Sequence, residues 1–119
     1  MMTTKEVADE FYGLAQTGDF AKIVAELYSP DCESTEAGSD GKQETVKGLD
    51  ALKKKGTKFN EAVEEMHGGH SSRPVVSADY FAVSMGMDVT MKGESRKQMD
   101  EIALYKVKDG KIISEQFFY

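Results

Sequence analysis

Strict alternation between apolar and small or polar residues over positions 81–91 most constrains what this chain can fold into. Successive side chains of a strand point to opposite faces, so a period of two over eleven residues predicts a long strand with one buried face. A helix cannot accommodate this pattern. The apolar positions are Phe81, Val83, Met85, Met87, Val89 and Met91, and the intervening positions are Ala82, Ser84, Gly86, Asp88 and Thr90.

Three further long strands are predicted around this one. Turn residues at 92–94 and 108–110, each with a glycine, predict hairpins that lead into strands at 98–107 and 111–119. A fourth strand is predicted at 66–76. The second half of the chain therefore forms an antiparallel sheet.

The first half of the chain has helical periodicity in three places. Thr3 and Glu6 have the spacing of a capping box, and Asp19 can cap the second helix. A short strand at 32–36 and a polar loop at 37–44, a candidate lid, precede the third helix, whose lysines at 53–55 are expected to face solvent. The apolar helix positions are Val7, Phe11, Leu14 and Ala15, then Phe20, Ile23, Val24 and Leu27, then Leu49, Leu52, Phe59 and Val63.

This order predicts an α+β fold in which three N-terminal helices pack on a curved antiparallel sheet of four long strands plus a short strand. A length of 119 residues predicts a single domain over 1–119. The formal charge of −6 argues against nucleic acid and anionic membranes as partners. The single cysteine, Cys32, is expected to be a buried structural thiol, and without an apolar run of about 18 residues we expect a cytoplasmic protein.

Three segments give the chain a family resemblance: Gly18-Asp19 between the first helices, 27–31 (LYSPD) before the first strand, and 105–112 (YKVKDGKI) near the end. Their order and spacing resemble the nuclear transport factor 2-like superfamily, and within it the SnoaL-like proteins related to polyketide cyclases and ketosteroid isomerases. The resemblance implies a cone in which helices and a concave sheet enclose a pocket, and an outer sheet face that pairs with a second copy. Because this superfamily hosts several reactions and also proteins without catalysis, the fold alone does not define the reaction.

The resemblance also implies positions for catalytic groups. In ketosteroid isomerases a carboxylate base follows the second helix, and the matching position here is Glu36. Its alternative is a surface residue on a short edge strand. The family's helix tyrosine falls at Phe11, with Tyr12 beside it, and the family's protonated aspartate falls at Ala103. Two of the three groups are absent, so steroid isomerisation itself is not expected.

Counting along the last three strands from their matched glycines places Glu101 and Glu115 on the concave face, among methionines and aromatics. An apolar wall raises the pKa of a carboxyl, which suits a glutamate for acid or base chemistry near neutral pH. The alternative is a solvated or lysine-paired position at the rim. The residues predicted to bind a substrate are Phe11, Met85, Met87, Tyr105, Glu115, Phe117 and Tyr119; the methionines can equally be core filling.

His67 and His70 flank a pair of glycines. Residues three apart on a strand project to opposite faces, so we expect no metal site. His67 is a candidate pocket acid, base or hydrogen-bond donor, with a structural role as the alternative, and a bulge at the glycines leaves its direction open. The glycine pair lacks the pattern of a phosphate-binding loop, so no cofactor is expected.

Two functions remain open from the sequence. The first is a cofactor-independent isomerase, cyclase or lyase in which Glu36, Glu101 and His67 act on a small apolar carbonyl compound. The second is a noncatalytic ligand-binding or dimerisation module of the same fold. In both cases we expect a homodimer, because the small-residue face of strand 81–91, with Gln116 and Phe118, leaves an apolar surface exposed.

Overall fold

The computed structural model describes residues 1–38 and 40–119. It confirms the α+β class, with three helices on a curved, open sheet. No helix in these two ranges is long and apolar enough to span a membrane. The helices are α1 (Thr4–Gln16), α2 (Phe20–Leu27) and α3 (Leu49–Ala62), and the strands are β1 (Tyr28–Ala37), β2 (Gln43–Lys47), β3 (Val63–Ser71), β4 (Val75–Ser77), β5 (Tyr80–Met91), β6 (Lys97–Lys108) and β7 (Lys111–Phe118).

The predicted helix starts are confirmed. The Glu6 amide donates to Thr3 Oγ1 over 3.2 Å, and the Thr3 amide donates to Glu6 Oε1 over 2.9 Å, which completes the capping box of α1. The Lys22 amide donates to Asp19 Oδ1 over 3.1 Å at the start of α2. The starts of α1 and α2 are therefore fixed by hydrogen bonds between residues three positions apart.

The sheet has the strand order β2-β1-β7-β6-β5-β3, with β4 also paired to β5. All pairs are antiparallel except β1 with β7, which is parallel, so the prediction of a wholly antiparallel sheet is wrong at this one pair. The predicted strand 66–76 is in fact β3 and β4 in succession along one edge of β5. Pro74 interrupts it because proline has no backbone N–H to donate to a strand pair.

The predicted short strand 32–36 is part of the ten-residue β1, and β1 forms a hairpin with β2. Much of the predicted loop 37–44 is therefore hairpin; within it, Ser39 lies outside the described residues. β2 was not predicted because four of its five residues are polar or charged, and its exposed edge position does not require an apolar face.

Helices α1 and α2 close one end of the concave face with a packed core. Phe11 is 1% exposed, and its ring centroid lies 4.8 Å from that of Tyr105, which is 2% exposed and stacks on Phe81. The prediction that Phe11 and Tyr105 line an open pocket is wrong, because three aromatic rings fill this end of the cone.

Helix α3 covers the other half of the concave face, in contact with β1, β2 and β3. All 14 of its residues are described, and none is fully buried. The side chains of β5, β6 and β7 on this half, which include Met85, Met87, Glu101 and Phe117, are likewise only half-buried. This half of the cone is thus the more open one, and the candidate site lies there.

Candidate functional site

Sheet register brings three carboxylates to the open half of the concave face. Glu115 of β7 pairs with Ser34 of β1 on one side and with Tyr105 of β6 on the other. Glu36 lies two residues after Ser34, and Glu101 lies four residues before Tyr105, so both share the face of Glu115. Three separate strands thus supply Glu36, Glu101 and Glu115.

Glu115 is held by hydrogen bonds on both carboxyl oxygens. The buried Tyr28 hydroxyl donates to Oε1, and Ser34 Oγ donates to Oε2 over 2.7 Å. Burial raises the pKa of Glu115 although both hydrogen bonds oppose the rise. With 8% exposure the carboxyl has little surface left for a ligand, so Glu115 orders the site rather than contacting a substrate as predicted.

Lys55 of α3 reaches into this cluster. Its Nζ lies 2.6 Å from Glu36 Oε1 and donates to Ser34 Oγ over 2.8 Å. The expectation that all three lysines at 53–55 face solvent is wrong for Lys55, since neighbouring helix positions differ by about 100°. The spacing of Leu52, Lys55 and Phe59 by three and four residues places Lys55 on the apolar face, and this signal could have identified it.

Glu36 faces the site, with a side chain that is 29% exposed. Glu36 contacts Tyr119 as well as Lys55. The Tyr119 hydroxyl lies 3.3 Å from Glu36 Oε2 and 3.2 Å from the Ala37 carbonyl oxygen. Tyr119 itself is 70% exposed at the rim. The Glu36 carboxylate is therefore ion-paired through one oxygen and accepts a hydrogen bond from the rim residue Tyr119 through the other.

Glu101 differs from the other two carboxylates because it has no hydrogen-bond or ion-pair partner among residues 1–38 and 40–119. Burial raises its pKa to about 7, and the negative charges of Glu36 and Glu115 add to the rise against the opposing charge of Lys55. Met85 is its direct neighbour across the β5–β6 pair. Near neutral pH the Glu101 carboxyl is thus a mixture of the protonated and ionised forms.

His67 does not belong to this cluster. Its Nε2 lies 2.8 Å from Thr90 Oγ1 and its Nδ1 lies 3.1 Å from Glu65 Oε2. Thr90 alternates with the buried Val89, so His67 lies on the convex face of the sheet. The prediction that His67 faces the pocket with Glu36 is therefore wrong, and the reason is the bulge in β3 next to it.

The other residues that the sequence suggested for the site differ in how deeply they are buried. Met85, Met87 and Phe117 are half-buried on the concave face and stay candidate lining residues. The Cys32 thiol is buried, and this burial raises its pKa to about 12, so it is not a nucleophile near neutral pH. Within the described part of the chain, no three acidic, histidine or cysteine side chains lie close enough together to hold a metal ion.

An open cleft of about 380 Å³ leads to the cluster between the β1–β2 hairpin and α3. Glu36 and Lys55 belong to its lining, so a small molecule in the cleft reaches the outer edge of the carboxylate cluster. We call it the hairpin cleft; its remaining lining residues are Glu44, Val46, Ala51, Lys54 and Lys58.

Solved structures share this fold. A Mesorhizobium loti protein described as a SnoaL-like polyketide cyclase is 39% identical, with a TM-score of 0.91 over 99% of this chain and 100% of that one. TerC co-crystallised with polyporic acid is 18% identical, with a TM-score of 0.75 over 98% and 90% of the two chains. A Catenulispora acidiphila protein with a ketosteroid isomerase-like fold, in complex with trimethylamine, is also 18% identical, with a TM-score of 0.73 over 98% and 87%.

No match was found among curated proteins. The family model described as SnoaL-like domain matches residues 2–119, which is nearly the whole chain. Together with the fold and the 39% identity to the Mesorhizobium loti structure, this match shows that the chain belongs to the SnoaL-like family.

Proposed function

We propose that this protein is a cofactor-independent isomerase, cyclase or lyase that uses Glu36 and Glu101 for acid/base chemistry on a small apolar carbonyl compound. One observation carries the proposal: two carboxyls of one site lie in contrasting environments. Glu36 is ion-paired with Lys55, whereas Glu101 has no ionic partner in the described ranges and a pKa of about 7. Such a difference separates a base from an acid within one site.

In this reaction the ionised Glu36 removes a proton from the carbon next to the substrate carbonyl. The electron pair of the broken C–H bond moves to the carbonyl oxygen, and an enolate forms. The protonated form of Glu101 donates a hydrogen bond to that developing negative charge. Returning the proton to another carbon, or using the enolate carbon as a nucleophile, gives isomerisation or cyclisation.

The remaining groups of the cluster support these two. The Lys55 ammonium lies 2.6 Å from Glu36 Oε1 and holds that carboxylate in position at the site. Ser34 connects Lys55 to Glu115 and so fixes the distance between α3 and the sheet. Support from a relative is at family level: the Mesorhizobium loti protein at 39% identity carries a polyketide cyclase description.

Hydrogen exchange at the α-carbon of 1-indanone in deuterium oxide, followed by proton NMR, tests the proposal without knowledge of the natural substrate. Positioned acid/base groups contribute about 10²- to 10⁴-fold, so Glu36→Gln should lower the enzymatic exchange rate by at least about 100-fold. Glu33→Gln is the matched control, because Glu33 lies on the same strand with an exposed side chain. Exchange no faster with the wild-type protein than in buffer would contradict the proposal.

A noncatalytic ligand-binding module is the second candidate. It is favoured by the aromatic core, since Phe11, Phe81 and Tyr105 occupy the end of the cone where a deep pocket would lie. Under this function the hairpin cleft binds a ligand and the carboxylates only order it. Ligand binding without any 1-indanone exchange would favour this alternative.

We also propose a homodimer that forms through the convex face. Ile102 and Phe118 are paired neighbours on β6 and β7, and they are 48% and 46% exposed. Leu104 continues this apolar surface. Sedimentation at micromolar concentration should show twice the chain mass of 13.1 kDa, and Ile102→Asp should shift the protein to monomer. A wild-type protein that sediments only as monomer would contradict the dimer.

A further inference from the structure

The lining of the hairpin cleft is more positive than the protein as a whole. It includes the ammonium groups of Lys54, Lys55 and Lys58 and the carboxylates of Glu36 and Glu44. The whole chain, in contrast, has a formal charge of −6. The cleft thus concentrates positive charge in an acidic protein.

Lys54 and Lys58 carry this surplus. Lys55 is already paired with Glu36 at 2.6 Å, whereas neither Lys54 nor Lys58 forms an ion pair with any residue in 1–38 or 40–119. They are four residues apart on α3, so their side chains lie on one helix face and their like charges repel each other. An anion between the two ammonium groups would relieve that repulsion.

The opposite wall of the cleft is formed by the β1–β2 hairpin. The Glu44 carboxylate packs against Gly38 within the hairpin, where a side chain on Gly38 would collide with it. Val46 and Ala51 supply apolar surface to the same cleft. The cleft therefore combines two lysines that form no ion pair within the described residues with the apolar side chains of Val46 and Ala51, next to the outer edge of the acid/base cluster. Glu44 is turned toward Gly38 in the same wall.

We infer that the substrate of this site carries an anionic group, such as a carboxylate, which binds between Lys54 and Lys58 while its apolar carbonyl portion reaches Glu36 and Glu101. The inference rests on the proposed function and narrows its substrate class. The anionic group holds the substrate at the mouth of the cleft and so orients the carbonyl toward the cluster.

Two matched fluorescent probes test this inference. 8-Anilinonaphthalene-1-sulfonate is anionic, and N-phenyl-1-naphthylamine is the same aromatic framework without the sulfonate. We expect the wild-type protein to bind the sulfonate more tightly, with an affinity that falls as salt rises, because screening weakens exposed charge interactions. NMR shift changes at the Val46 and Ala51 amides should place the sulfonate probe in the hairpin cleft.

The double variant Lys54→Gln/Lys58→Gln should weaken sulfonate binding by about tenfold, because it removes both exposed ionic contacts with the anion. Binding of the neutral probe should stay the same. Lys53→Gln is the control, because Lys53 lies on the same helix outside the cleft lining.

The inference would be overturned if the wild-type protein bound both probes with the same affinity. It would also be overturned if the double variant bound the sulfonate probe as tightly as the wild-type protein does. The 1-indanone measurement separates this result from a failure of the proposed function, because 1-indanone carries no charge. Exchange without a sulfonate preference overturns only the anion site. A sulfonate preference that requires the two lysines, without exchange, overturns only the acid/base chemistry.

Discussion

The substitution Glu101→Gln removes a carboxyl whose ionised form is disfavoured by burial. The pKa of Glu101 is raised from an ordinary 4.5 to about 7, chiefly by burial and then by the charges of Glu36 and Glu115. At 1.36 kcal/mol for each pKa unit, full expression of this difference would be about 3 kcal/mol. Because the half-buried carboxyl stays accessible to solvent, we expect about 1–2 kcal/mol.

The direction in which the unfolding free energy changes with pH follows from proton binding by the Glu101 carboxyl. A carboxyl with a raised pKa binds its proton more tightly in the folded state, so wild-type stability falls as pH rises from about 4.5 to about 7. Gln cannot ionise and does not lose this stability. Urea unfolding should therefore give similar free energies for wild type and Glu101→Gln at pH 4.5, and a variant more stable by about 1–2 kcal/mol at pH 8.

Glu10→Gln provides the control, because Glu10 is an exposed residue of α1 whose side chain lies away from the cluster. The unfolding free energy of Glu10→Gln should be close to that of the wild-type protein at both pH values. If Glu101→Gln were no more stable than wild type at pH 8, or equally stabilised at pH 4.5 and pH 8, the desolvation of Glu101 would be refuted.

Three further substitutions test the packing around the site. Lys55→Met should lower the unfolding free energy by about 1–2 kcal/mol in urea and raise the pKa of Glu101 further, because it removes the positive charge beside the carboxylates. Lys53→Met is the control and should change neither quantity. An unchanged Glu101 titration midpoint in Lys55→Met would contradict the placement of Lys55. Tyr28→Phe should lower the unfolding free energy by about 1–3 kcal/mol, because it removes a buried hydrogen bond to a carboxyl; a loss below about 0.5 kcal/mol would show that this bond is absent. Phe11→Ala should lower the unfolding free energy by about 3–5 kcal/mol, and a small loss would indicate that the ring lines a cavity instead.

Much of the fold could be predicted from the sequence because its signals are local. The capping box at Thr3 and Glu6, and the alternation over 81–91, depend only on neighbouring residues. The parallel pairing of β1 with β7 could not be predicted in this way, because it joins residues about 80 positions apart. The polar strand β2 gave no periodic signal of its own.

The residues of the candidate site could be predicted where strand alternation determines which face a side chain lies on. Glu101 follows from the parity of β6. Glu36 was placed by the resemblance to ketosteroid isomerases, and not by alternation. His67 did not follow, since a bulge in β3 shifts the register beside it. Lys55 was missed because a run of three lysines is typical of a solvated surface, although only one of the three faces the sheet.

The proposed chemistry depends most on the protonation state of Glu101, which a ¹³C-detected NMR titration of its carboxyl carbon measures directly. We predict a midpoint near pH 7 in the wild-type protein. The midpoint should be lower in Glu36→Gln, because the charge of Glu36 contributes to the rise in the pKa of Glu101. A Glu101 midpoint near 4.5, the ordinary value for a glutamate, would contradict the central claim that the site holds a carboxyl that is still partly protonated near neutral pH.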